Sequence, residues 1–292
     1  DQSSGTDRTR AVQVFRNTGV ALTNIIAISC GRRNGYALDG NGSVWAWGDN
    51  SLGQLGNGAT SGPITGAVQV GILANIIGIA GGGYHALALR ADGSVWAWGQ
   101  NSSGECGDNT TTGPRTTAVQ VRTSAVAFLT NVIAVSAGYQ ASMALTADGS
   151  VYTWGDNLYG QIGNGTSGGT QLVATSAGVS YVKAISCGQW GHKFALQYTG
   201  VVYGWGYNGD GRMGYSASTS SQPSPVVVST PGGVPVRAMS AGRQVSSFLM
   251  ATGQVYGAGS GFGSTPTLVS AKWPMSGIQT VAAGGSHTLA LK

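Results

Sequence analysis

A pattern of about 50 residues recurs along this chain and restricts its fold more than any other feature. Five segments share a glycine, a valine and alternating aromatic positions: NGSVWAWG (41–48), DGSVWAWG (92–99), DGSVYTWG (148–155), TGVVYGWG (199–206) and TGQVYGAG (252–259). A period of this length indicates a repeat architecture, in which each unit stacks on its neighbours to bury an apolar face.

Each of these segments predicts a tight turn followed by a strand that is packed on both faces. Asn-Gly and Asp-Gly favour a type I′ hairpin turn, because both central residues there need positive φ. After the turn, valine and small residues alternate with bulky aromatic residues. Because successive side chains of a strand point to opposite faces, both faces of this strand must be covered. Stacked propeller blades require such strands.

Three further elements surround each hairpin. A strand with small residues at its middle precedes it, as in AISCGRRNGYAL (27–38) and GIAGGGYHALAL (78–89), and we expect this strand beside the propeller axis. A loop with a recurring asparagine follows, as in GDNSLGQLG (48–56). A short β-rich stretch ends the unit, as in AVQV (67–70) and AVQV (118–121).

Together these strings resemble the regulator of chromosome condensation (RCC1) repeat, from about residue 11 to residue 292. The resemblance implies an all-β, RCC1-like β-propeller with six to seven blades of about four antiparallel strands. Residues 1–292 then form a single domain, with units starting near 24, 75, 131, 181, 236 and 278. Residues 1–14 are the tail of a closing or preceding unit.

The sequence has six unit starts but five hairpins, which leaves two arrangements open. The N-terminal strand completes the last blade, or the chain is a fragment of a longer polypeptide. We favour the second, because the sixth hairpin strand is missing.

Composition argues against nucleic-acid binding and against a membrane span. The net charge is +5, but no dense Lys/Arg run or basic tail occurs. No apolar run approaches the roughly 18 residues of a spanning helix. A Lys-poor surface rich in Ser, Thr, Gly and Asn suggests a secreted or cell-surface protein of bacterial type, with a cytoplasmic location left open.

The residues that carry most enzyme chemistry have structural explanations here, so we expect no enzyme, no cofactor and no metal. Cys30, Cys106 and Cys187 occupy slots that small or apolar residues fill in other copies, and their odd number argues against disulfides. His85 and His287 share the family's histidine position and His192 lies one residue off it, so we expect them to hydrogen-bond the blade hairpin. No pair of carboxylates stands out as a general acid and base.

Positions that diverge between copies are free to recognise a partner. In the strand before each hairpin a small residue is followed by glycine, as in the Cys-Gly of AISCGRRNGYAL, and this pair is called the small-Gly step. Candidate partner-binding residues are the aromatic, basic and amide side chains near this step: Arg32, Arg33, Tyr84, Tyr139, Gln189, Trp190 and Arg243. Such residues are typical interface anchors, and we expect them to ring one propeller face.

The leading hypothesis is a non-enzymatic module that holds a partner protein. Members of the resembled family include a nucleotide-exchange factor for a small GTPase, a plant ultraviolet receptor and a secreted inhibitor of β-lactamases. A secreted inhibitor or surface-interaction protein fits best, and exchange activity is less expected. Two alternatives are a glycan-binding propeller and a structural subunit that self-associates.

Overall fold

The computed structural model describes residues 9–71, 73–215, 220–269 and 277–292. The strands of each sheet pair antiparallel in chain order, and the sheets follow one another as propeller blades. Blade 1 holds β1 (Ile25–Cys30), β2 (Asn34–Asp39), β3 (Val44–Asn50) and β4 (Ser61–Gln69). Blade 2 holds β5 (Ile76–Gly81), β6 (His85–Arg90), β7 (Val95–Gly99) and β8 (Arg115–Gln120). Blade 3 holds β9 (Val132–Ala137), β10 (Ala141–Thr146), β11 (Val151–Asp156) and β12 (Thr170–Ser176).

Blade 4 holds β13 (Val182–Cys187), β14 (His192–Gln197), β15 (Val202–Tyr207) and β16 (Ser221–Val227). After a 3₁₀ turn at Pro231–Gly233, blade 5 holds β17 (Val236–Ala241), β18 (Val245–Met250), β19 (Val255–Gly259) and β20 (Gly263–Leu268). A sixth sheet has two strands, β21 (Thr280–Ala283) and β22 (Thr288–Leu291). The first strand of each blade contacts the first strand of the next, from β1 through to β21. The predicted all-β propeller is confirmed, with five four-stranded blades and two strands of a sixth among the described residues.

One detail of the sequence prediction is wrong, because the expected single strand before each hairpin is two strands joined by a turn. In blade 2 the Gly82 N–H donates to the His85 carbonyl at 2.8 Å and closes this turn. Gly31 and Gly138 close the same turn in blades 1 and 3. The small-Gly step therefore ends the innermost strand, and the residues after it form a loop at one end of the propeller.

Hydrogen bonds between blades explain why two residues of the repeat recur. In blades 2 to 4 the tryptophan of Trp-Gly is fully buried, and its Nε1 donates to a backbone carbonyl of the preceding blade: Trp98 to Gln54 (2.8 Å), Trp154 to Glu105 (2.8 Å) and Trp205 to Gln161 (3.0 Å). A serine in the innermost strand accepts a backbone N–H of a following blade, as Ser29 does from Gly81 at 2.9 Å. Because buried polar groups need such partners, these bonds fix how one blade sits on the next.

The first and last sheets leave apolar side chains uncovered. Ile28 of β1 is 76% exposed, and Leu289 of β22 is 63% exposed. Leu87, which holds the position of Leu289 in blade 2, is fully buried against the next blade.

The cysteines also differ in exposure between the first blade and the inner blades. All three are free as predicted, but Cys30 is exposed, which corrects the expectation that it is buried, whereas Cys106 and Cys187 are buried.

The segment at 14–22 packs on blade 1 in the way that 121–129 packs on blade 3. The Ala67 N–H donates to the Phe15 carbonyl at 2.8 Å, and the Ala174 N–H donates to the Arg122 carbonyl at 2.7 Å. Leu22 lies in a core with Ala67. The AVQV string of 11–14 therefore leads into the same crossover as the AVQV of 118–121.

Candidate partner-binding face

The loops between the first and second strands of successive blades lie side by side at one end of the propeller. Their backbones are joined by hydrogen bonds from one blade to the next: Arg32 N to Gly83 O (3.4 Å), Gly83 N to Gly138 O (2.9 Å), Gln189 N to Gly242 O (3.1 Å) and Arg243 N to Gly284 O (3.0 Å). This surface is called the loop face below. The divergent residues of different repeats thus meet on it.

The glycine that ends each Trp-Gly pair holds these loops in place. Gly99 has φ +100°, and a Cβ there would lie 2.4 Å from the Tyr84 carbonyl. Gly155 has φ +99°, and its Cβ would lie 2.5 Å from the Gln140 carbonyl. In each of blades 1 to 5 the third strand therefore passes so close beneath the loop that a side chain would displace it, and only glycine adopts this φ at low cost.

Arg32 lies between two tyrosines from the next two blades. Its guanidinium carbon is 5.5 Å from the Tyr84 ring centre and 5.7 Å from the Tyr139 ring centre. Its Nη1 donates to both tyrosine hydroxyls, at 3.1 Å to Tyr139. Burial, with the Tyr84 hydroxyl as a smaller cause, raises the pKa of Tyr139. Stacking and hydrogen bonding hold the exposed Arg32 in one orientation, so less side-chain entropy is lost when a ligand binds it.

A second cluster of arginines and aromatic rings lies across the same face. The Arg243 guanidinium carbon is 5.0 Å from the ring centre of Trp190, which is 42% exposed. Arg212 is fully buried beneath them, 5.3 Å from Trp190 and 4.7 Å from Tyr207. Tyr159 packs on Tyr207 with ring centres 4.7 Å apart. Exposed aromatic rings held by arginines are frequent anchors of protein interfaces.

A cavity of about 630 Å³ lies between the two clusters. Five of the predicted site residues line it, namely Arg32, Tyr139, Gln189, Trp190 and Arg243. Tyr84 lies behind the lining and contacts two of its residues, Arg32 and Tyr139, whereas Arg33 is exposed outside the lining. The structure thus brings most of the predicted residues to one opening and leaves Arg33 apart.

Sequence reasoning missed Lys193, which lines the same cavity. This residue pairs with Cys187 in the sheet, as Ala86 pairs with Gly81 and Ser142 with Ala137. A lysine among small residues is the signal that could have revealed it. The extra residue near Trp190 concealed that correspondence in the sequence comparison.

The two buried histidines serve the packing of the blades. His85 Nε2 lies 2.9 Å from Ser142 Oγ, and His192 Nε2 lies 3.2 Å from Ser246 Oγ. Each serine belongs to the next blade, so these bonds link blades, whereas a bond to the blade's own hairpin was predicted. Burial lowers the pKa of both histidines to about 3, so they are neutral near pH 7. Across the described ranges, no three His, Cys, Asp or Glu side chains are grouped so as to hold a metal ion.

Glu105 is a fully buried carboxyl behind the loop face. Its Oε2 accepts the Ser103 N–H at 2.8 Å, and its Oε1 is buried without a hydrogen bond. Burial, with Asp156 as a smaller cause, raises its pKa to about 7. Gln54 and Gln161 occupy the same position in blades 1 and 3, which shows that the slot accepts an amide.

No helix of the described chain is long and apolar enough to cross a membrane.

Curated relatives match about two thirds of the chain. The probable E3 ubiquitin-protein ligase HERC6 of Homo sapiens is 31% identical over 212 residues, which are 71% of this chain and 20% of that protein. Protein pim1 of Schizosaccharomyces pombe is 31% identical over 194 residues, which are 61% of this chain and 35% of that protein. The chain therefore spans a fifth to about a third of the length of these relatives.

Solved structures share the fold at lower identity. Yeast RCC1 (Prp20), solved with Kap60 bound, superposes with a TM-score of 0.76 at 23% identity, covering 91% of this chain and 67% of that one. Human WBSCR16 superposes with a TM-score of 0.76 at 20% identity, covering 91% and 73%. The family model of the regulator of chromosome condensation (RCC1) repeat matches residues 41–89, 92–145, 148–196 and 199–249, and a second model of this repeat matches 25–54, 76–105 and 132–161. With four successive repeats matched over more than half of its length, the chain belongs to the RCC1 repeat family.

Proposed function

We propose that this propeller is a non-enzymatic binding module whose loop face holds a partner protein. The observation that carries the proposal is the convergence of two arginine–aromatic clusters from five blades on the mouth of one cavity. The buried histidines are neutral and bonded to serines of neighbouring blades, so they do not supply acid–base chemistry near pH 7.

The chemistry of the face suits a protein partner with an acidic surface. Arg32, Arg243 and Lys193 line the cavity with Asp156 as the one carboxylate, so the lining carries a net positive charge. Charges of opposite sign steer a partner toward its site and fix its orientation. Trp and Arg are also the residues that most often dominate binding energy at interfaces.

Relatives support protein binding as the use of this fold. Yeast RCC1 has been solved with Kap60 bound, and Prp20p from Saccharomyces cerevisiae has been studied for its binding to Gsp1p and histones. Both yeast structures share less than 25% sequence identity with this chain, so the partner of this chain has to be identified by experiment.

The test is partner capture with charge-reversed variants. The immobilised chain is incubated with lysate and culture supernatant of its source cells, and bound proteins are quantified by mass spectrometry. We expect one protein at near-stoichiometric amounts that is lost with Arg32→Glu and with Arg243→Glu. Arg237→Glu is the matched control, because Arg237 is exposed at the other end of the blade that carries Arg243.

Three results contradict the proposal. Equal loss with Arg237→Glu means that net charge and not the loop face governs capture. Release by free sugars indicates glycan binding. Concentration-dependent assembly of the pure chain, with no captured protein, indicates a structural subunit.

A further inference from the structure

Lys193 is a buried cation whose hydrogen-bond partners are neutral. It lies on β14 and is 1% exposed. Its Nζ is 3.4 Å from the Ser142 carbonyl oxygen and 3.3 Å from the Cys187 Sγ. Among the described residues, no carboxylate oxygen lies within 4.0 Å of this ammonium group.

This arrangement lowers the stability of the folded chain when nothing is bound to Lys193. Removing an ammonium group from water carries a large free-energy cost unless a counter-ion and hydrogen bonds replace the lost hydration. One long hydrogen bond to a carbonyl and one contact with a thiol replace little of it. Small side chains fill the corresponding position in other blades, so the fold does not require a lysine there.

The cavity connects this ammonium group with the loop face. Lys193 lines its wall, and Arg32 and Arg243 line it with the loops that carry them. The one carboxylate of the lining, Asp156, already accepts hydrogen bonds from Gln161 Nε2 (2.8 Å) and the Leu158 N–H (3.2 Å) of its own blade. An anion that enters the cavity therefore meets three cations and one engaged carboxylate.

We infer that the cavity receives an Asp or Glu side chain of the partner, with Lys193 as the counter-ion of its carboxylate. The inference rests on the proposed protein-binding function and specifies its chemistry. About 630 Å³ is within the usual range of roughly 300–1,000 Å³ for ligand sites, which admits an acidic side chain and its neighbours. Arg32 and Arg243 flank the entering segment, and Lys193 binds the inserted carboxylate.

The test uses short peptides as probes, measured by isothermal titration calorimetry at low ionic strength, where screening is weak. The main probe is hexaglutamate blocked by an N-terminal acetyl and a C-terminal amide. Hexaglutamine blocked in the same way is the uncharged control. Hexaglutamine with a free C-terminal carboxyl tests a chain terminus as the source of the carboxylate.

We expect blocked hexaglutamate to bind the wild type, and Lys193→Met to weaken this binding at least tenfold. Arg237→Met, which removes a charge outside the loop face, leaves the binding unchanged. Methionine has a similar volume and no charge, so Lys193→Met is expected to fold with equal or higher thermal stability. Lys193→Gln is the second variant, with the same expected loss of binding.

The inference is overturned when Lys193→Met and Lys193→Gln bind hexaglutamate as the wild type does. If Arg32→Glu still abolishes partner capture in that case, the proposed function stands and the insertion of a carboxylate does not. Binding of only the peptide with a free C-terminus overturns the side-chain source. Absence of hexaglutamate binding to the wild type also overturns the inference, whatever partner capture shows.

Discussion

Replacing Glu105 by glutamine should make the chain more stable than the wild type in alkaline solution and about as stable as the wild type in acidic solution. The carboxyl is fully buried and its pKa is about 7, above the ordinary value of 4.5. A buried carboxyl with a raised pKa stabilises the fold fully below pH 4.5, where it is neutral in both states. That contribution is lost as the pH rises through about 7, because the unfolded chain then releases a proton more readily than the folded chain.

The size of the effect follows from the difference between the two pKa values. Each tenfold change in proton affinity corresponds to about 1.4 kcal/mol, so a rise from 4.5 to about 7 costs on the order of 3 kcal/mol above pH 8. The amide of glutamine does not ionise. It can also accept the Ser103 N–H, as Gln54 accepts the Leu52 N–H at 2.7 Å in blade 1. The variant therefore avoids the loss at little structural cost.

Thermal unfolding of wild type and Glu105→Gln, followed by circular dichroism at several pH values from 5 to 9, tests this reasoning. We expect similar melting temperatures near pH 5 and a variant that melts roughly 5–10 °C higher at pH 8.5. The difference between the two proteins matters, because the histidines titrate equally in both. Asp92→Asn is the control, since this carboxyl is exposed with a lowered pKa and its removal should give no such trend. A difference for Glu105→Gln that does not change with pH would refute the argument.

Three further predictions concern the packing of the repeats and are checked by denaturant unfolding. Leu87→Ala should cost about 2–5 kcal/mol and Leu289→Ala less than about 1 kcal/mol, because the first leucine is fully buried and the second is 63% exposed; equal costs would contradict this. Trp98→Phe should cost about 2 kcal/mol, since it removes the bond to the preceding blade and some packing volume; a cost below about 0.5 kcal/mol would show that this bond does not join the blades. Tyr181→Asn should stabilise by about 0.5–1 kcal/mol, because Tyr181 has φ 57° where the matching Asn131 has φ 58°, and asparagine tolerates that region better; destabilisation would mean that the tyrosine ring contributes more than the strain costs.

The repeat made the architecture predictable, because Asn-Gly and Asp-Gly turns and the Trp-Gly strands act locally and recur. The division of the preceding segment into two strands was not predictable in the same way. In AISCGRRNGYAL the Asn-Gly pair at 34–35 lies inside β2 and does not mark the turn. The turn is at Gly31 and is fixed by contacts with the next blade, including that of Arg32 N with Gly83 O. The exposure of Cys30 was not predictable either, because it depends on which sheet packs against β1, and a local sequence pattern does not specify that sheet.

The candidate site was partly predictable for a related reason. Arg32, Tyr139, Gln189 and Arg243 were found because they occupy equivalent positions in different repeats, and equivalent positions meet around a propeller axis. Lys193 was missed because an insertion beside it shifts the fourth repeat by one residue. The secreted or cell-surface location and the absence of enzyme activity stay predictions.

The backbone of the loop face explains why this surface can diverge between repeats without loss of the fold. The loops are joined through main-chain groups, as in the bond from the Arg243 N–H to the Gly284 carbonyl at 3.0 Å. Their distance from the strand beneath is set by glycines such as Gly155. Neither the main-chain hydrogen bonds nor the glycine contacts depend on the loop side chains. Arginine, tyrosine, glutamine or tryptophan can therefore stand at equivalent positions of the loops. Selection for a partner can then act on the loop side chains while the tryptophan and serine bonds keep the blades together.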